Sequence, residues 1–86
     1  MLTRYWFTFG EKKDDFDLEI LSAGCGITAY DLMDAKSMLE SVVFPVCGVR
    51  DIVSVQEGVD VSNLDRNHVQ LNMGVPSNRG VWFPLL

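Results

Sequence analysis

Basic and metal-binding side chains are scarce in this chain. Seven Lys and Arg stand against twelve Asp and Glu, with one histidine and two cysteines, and the net charge is −5. A nucleic-acid surface needs cations to displace counterions from phosphate. An anionic membrane needs them as well, so neither partner is expected. Zinc calls for clustered ligands such as a Cys-x-x-Cys pair, whereas Cys25, Cys47 and His68 each stand alone. Gly24-x-Gly26 precedes a helical pattern but lacks the third glycine of a dinucleotide turn and the lysine of a P-loop. Asp31 and Asp34 also place negative charge where a phosphate would sit. No metal and no cofactor are therefore expected. No apolar run approaches the ~20 residues of a membrane helix, and MLTRYWFTFG lacks a small-residue cleavage site. The expected setting is the cytoplasm, where both cysteines stay reduced and act as small hydrophobes. Repeats, low-complexity tracts and linkers are absent, and 86 residues make one domain, 1–86.

What the chain does have is apolar bulk: 48% hydrophobic residues, with two Trp, two Tyr and five Phe. From Thr3 to Phe9, Tyr5, Phe7 and Phe9 alternate with Arg4, Trp6 and Thr8, the period of a half-buried strand. A charged turn at 10–15 and a second alternating run, Phe16 to Leu21, complete an antiparallel hairpin. Gly24 and Gly26 bracket Cys25 and point to a bulge or a close approach of another segment. Asp31 is a helix N-cap with Asp34 three residues on. Leu32, Ala35, Leu39 and Val42 then form one apolar stripe, widened by Met38 and Val43. Phe44-Pro45 is expected to end this helix. Ile52 to Gln56 reads as a third strand. Ser62 begins a short capped turn, Val69 to Met73 alternates weakly, and Val81 to Phe83 forms the last strand.

One helix with an apolar stripe requires a sheet to cover it. The expected architecture is α+β: a four-stranded, mostly antiparallel sheet with one helix packed on one face. The opposite face, to which Trp6 and Leu21 point, needs a cover of its own. The segment from Asp65 to Leu86 is too apolar for a disordered tail and too interrupted by Gly and Pro for a helix. It serves either as that cover or as a binding surface.

Reactive groups are few. Cys25 has no base at a fixed spacing and reads as a packed thiol. His68, with Asp65, Arg66, Asn67 and Asn72 nearby in sequence, is either a general base or a turn cap. Glu57 and Asp60 form no assignable carboxylate pair. Arg79 meets either an acidic ligand or the protein's own surplus of carboxylates.

The segments GCGITAYDLMDAKSMLE and NHVQLNMGVPSNRGVWFP resemble a group of small uncharacterised bacterial proteins. In that group a glycine-bracketed strand leads through Thr-Ala into a capped helix, and an Asn-His-Val stretch leads to a closing Gly-Val-Trp-Phe-Pro. The likeness covers roughly half the chain. It implies bacterial origin, and a recurring surface of Asn67, His68, Asn72, Gly74, Arg79, Gly80, Trp82 and Pro84.

Two functions follow as expectations. The first is an acidic protein-interaction module that docks a protein partner or a second copy of itself as a homodimer. An immunity or antitoxin-like role is one concrete form. The second is a small-molecule binder or enzyme with its site around His68 and Arg79. In either case the candidate ligand- or partner-binding residues are Asn67, His68, Asn72, Arg79 and Trp82, and no catalytic residue is assigned.

Overall fold

The computed structural model describes residues 1–10, 24–64, 66, 69–70 and 73–84. Residues 11–15 of the charged turn and the run Phe16 to Leu21 lie outside the described residues. Strand β1 is Thr3–Phe9 and β2 is Cys25–Ala29. A helical rod follows as α1 (Leu32–Met38), a π turn (Leu39–Val43) and α2 (Phe44–Cys47). Strands β3 (Ile52–Glu57) and β4 (Gly80–Phe83) complete a four-stranded sheet of order β3-β1-β2-β4, antiparallel throughout. The α+β architecture is the expected one.

Alternation in β1 separates two cores. Tyr5 and Phe7 join Cys25, Ile27 and Ala29 of β2 beneath Ala35, Leu39 and Val43 of the helical rod. Trp6 points to the opposite face, where Val59, Val69, Trp82 and Phe83 pack around it. Val69, Trp82 and Phe83 of the stretch 65–86 thus pack on the second face, in line with the covering one of its two readings. Val69 itself lies in a turn, and the short helical turn is Val61–Asn63, capped by Asp60 rather than by Ser62.

The helix begins as expected and ends later. Asp31 Oδ1 accepts from the Asp34 N–H at 2.7 Å, and Asp34 Oδ2 accepts from the Tyr30 N–H at 3.1 Å. The rod then continues past Pro45. The π turn ends at Val43 and an α turn starts at Phe44, so Pro45 falls in a first turn, where proline is tolerated. Gly48, at φ 89, closes the rod with its N–H on the Phe44 carbonyl at 2.9 Å. The same π turn corrects the apolar stripe. In a pure α-helix a spacing of four overshoots one turn by about 40°. The wider turn takes up the drift along Ala35, Leu39 and Val43, so all three are fully buried, while Val42 is turned outward.

A bulge positions the aromatic pair of β4. Ile27 pairs with Val81 and Gly26 with Phe83, leaving Trp82 as the extra residue. Trp82 and Phe83 therefore share the second core despite being neighbours in a strand. Trp6 and Trp82 stack at 5.8 Å between centroids, 28° apart in plane. Each indole lies over a glycine: a Cβ on Gly24 would overlap Trp6, and a Cβ on Gly26 would overlap Trp82. This is the close approach that the two glycines foreshadow.

Gly26→Ala should accordingly cost about 3 kcal/mol, the upper range for an overpacked core. Gly58→Ala serves as the contrast, because it meets open space at φ +65 and should cost about 1 kcal/mol from backbone strain alone. Urea unfolding of the two variants checks the difference.

Candidate functional site

Of the five expected site residues, the structure describes two. Asn67, His68 and Asn72 lie outside the described residues, as does Asp65. Arg79 and Trp82 are placed, and both are engaged within the fold. The Trp82 ring is buried in the second core, and its Nε1–H has no hydrogen-bond partner among the described residues.

Arg79 stands in the turn ahead of β4 and reaches the first turn of α1. Its Nε donates to Asp34 Oδ2 at 2.9 Å and its Nη2 donates to Asp34 Oδ1. The guanidinium carbon lies 5.3 Å from the centre of the Tyr30 ring, within cation–π range. Asp34 also accepts the Tyr30 N–H, so one carboxylate ties the helix start to the C-terminal turn. The Arg79 hydrogen bonds, and then the Tyr30 N–H, hold the Asp34 carboxyl below its ordinary value, and Asp34 raises Arg79 in return. Arg79 thus meets the protein's own carboxylate, one of its two expected partners. The sequence gives no clue to which carboxylate, because the two residues are 45 positions apart.

An open groove of about 350 Å³ lies where the N-terminus of β1 passes the C-terminal turn. Buried Thr28 and Val59 line it, and exposed Arg4 and Ser77 stand at its mouth. The Thr28 hydroxyl is used internally, donating to the Pro76 carbonyl. Sequence reasoning did not single out this groove. Its one signal was Arg4, on the strand face opposite Tyr5 and Phe7.

The thiols are poor nucleophiles. Burial, with Cys47 adding to it, pushes Cys25 up to about 12, and burial raises Cys47 against the pull of Arg50. Both stay protonated at neutral pH, as packed thiols do. No group of metal-holding side chains occurs among the described residues. No described helix is long and apolar enough to cross a membrane.

A run of exposed valines lies elsewhere, at the end of the helical rod and on β3. Among the described residues β3 is an outermost strand, and Val46, Val49 and Val53 are 61%, 73% and 68% exposed. They run from the end of the helical rod into the middle of that edge. Val53 is itself a bulge residue, since Thr8 pairs with Ser54 and Phe9 with Ile52. The β-rich run Ile52 to Gln56 marks a strand in the sequence but does not tell an edge from a centre.

Because Asp34 is depressed in the folded state, the Asp34–Arg79 contact stabilises fully above the ordinary aspartate range and is lost as pH falls through the lowered value. Asp34→Asn should flatten that part of the acid dependence. The loss at neutral pH should be small, because the pair is solvent-exposed. Urea midpoints across the acid range, wild type against variant, check the sign.

No protein-family model, no curated protein and no solved structure matches the chain.

Proposed function

We propose that this chain is a protein-interaction module that docks through the β3 edge and the valine strip leading to it. The observation that carries this reading is the concentration of exposed apolar side chains at Val46, Val49 and Val53 beside an edge strand. An unpaired strand edge offers backbone donors and acceptors to an incoming strand. The chain's own C-terminal segment packs on the second sheet face, so the edge replaces that face as the docking route. The net charge of −5 suits a basic protein partner. A small bacterial cytoplasmic protein of the immunity or antitoxin type, masking a basic toxin, is the concrete form in which acidity and edge act together. The unpaired thiols accord with a reducing compartment. A small-molecule site around His68 and Arg79 has less support, since Asp34 and Tyr30 already occupy Arg79.

A triple variant, Val46→Lys, Val49→Lys and Val53→Lys, should keep the wild-type circular dichroism and fail to capture proteins that the wild-type chain retains from its source lysate. Identical captures by the two baits would contradict the reading.

A further inference from the structure

The β3 edge has a pattern that reads the same from either end. The Gly58 N–H donates to the Arg4 carbonyl at 2.8 Å, and the Asp51 carbonyl accepts from the Gly10 N–H at 3.0 Å. The backbones of Gly58 and Asp51 therefore face β1. Backbone polar groups alternate sides along an antiparallel strand. Counting inward from Gly58, Glu57 and Val55 turn their backbone groups away from β1. Counting from Asp51, Ile52 and Arg50 do the same. The bulge at Val53 separates the two sets. The outward positions 50, 52, 55 and 57 are thus symmetric about the midpoint between Val53 and Ser54.

Side-chain facing follows the same symmetry. Glu57, Val55 and Ile52 stand opposite Tyr5, Phe7 and Phe9, on the helix side of the sheet. Arg50, two positions before Ile52 on a ladder that the Gly10–Asp51 bond extends, falls on that side by strand alternation. A two-fold axis through the midpoint would set Ile52 against Val55 of a second copy and Arg50 against its Glu57. Each pair joins residues on one face, and the outer pair is of opposite charge, a favourable cross-strand combination. Neither Arg50 nor Glu57 forms an ion pair among the described residues.

We propose that the partner for this edge is a second copy of the chain, paired antiparallel through β3 with Arg50 opposite Glu57 and Ile52 opposite Val55, giving a continuous sheet across a two-fold dimer. This rests on the interaction-module reading and names the occupant of the same edge. The bulge favours this occupant over an arbitrary strand. A straight strand would lose register at Val53, whereas a second copy matches bulge with bulge. Self-complementarity of one patch is what a two-fold interface requires. No proline or lysine within Ile52–Glu57 guards the edge in the usual way.

Sedimentation equilibrium of the full chain tests the pairing. Salt is held at about 0.15 M, which screens the long-range repulsion between two acidic copies. The wild type should show a concentration-dependent monomer–dimer equilibrium. Arg50→Glu or Glu57→Arg alone, each with unchanged circular dichroism, should weaken it by about tenfold or more, because two attractive pairs become repulsive. The double variant R50E/E57R should restore it to near the wild-type value. A wild type that stays monomeric up to millimolar concentration overturns the proposal. So does a dimer indifferent to both single reversals, or one that the double variant fails to rescue. If the wild type is monomeric but still captures another protein through the valine strip, self-pairing alone is refuted and the module reading stands. If neither activity is seen, both are refuted.

Discussion

The fold depends on two indoles lying flat against two glycines. Trp6 and Trp82 stack on the face of the sheet away from the helix, Trp6 over Gly24 and Trp82 over Gly26. Without a Cβ at those positions the rings approach the strand closely enough to form a packed layer, and Phe83 joins them 5.8 Å from Trp6. Large aromatic areas removed from water on this side match the helix-covered core on the other. A chain of this size has little apolar surface to spare, so β4 belongs to the fold's foundation. The bulge at Trp82 is what makes this possible. It turns two consecutive aromatic residues to one face, which strict alternation forbids.

Sequence legibility follows how local each interaction is. The helix start is read correctly because Asp31 and Asp34 act within one turn. Strand β1 is read correctly because its alternation is complete from Thr3 to Phe9. The helix end is not, because the rule that proline stops a helix assumes the α spacing to continue. The π turn resets that spacing for the sake of burying Val43, a requirement set by the sheet beneath it. For the same reason Val42, expected in the stripe, is turned outward while Val43 is fully buried. The glycine bracket around Cys25 announces a close approach, but its partners, Trp6 and Trp82, come from other strands. The bulges at Val53 and Trp82 leave no local mark at all, since each is defined by the register of a neighbouring strand.

The candidate site divides in the same way. Arg79 and Trp82 stand out in sequence as chemistry-bearing residues, and the structure gives both a fold-holding task. Arg79 joins the C-terminal turn to the helix start through Asp34, and Trp82 fills the second core. The surface proposed for a partner is built from residues with no catalytic character, Val46, Val49 and Val53, with Arg50 and Glu57 at the ends of the proposed pairing. Such a surface is recognisable only once the sheet order makes β3 an edge. The features that hold the protein together and those proposed to bind a partner are thus separate. Aromatic stacking secures the side of β4, and on the other side β3 is the outermost strand among the described residues.

The most direct measurement is native-state hydrogen exchange at the amides of β4, and at Gly74, whose N–H donates to the Trp82 carbonyl at 2.7 Å. If the indole layer is part of the cooperative fold, these amides exchange with the same opening free energy as those of the central strand β1. Exchange of β4 and Gly74 far faster than β1, with β1 unaffected, would mean that the C-terminal segment is an accessory to the fold, and the account built on the Trp6–Trp82 stack would be wrong.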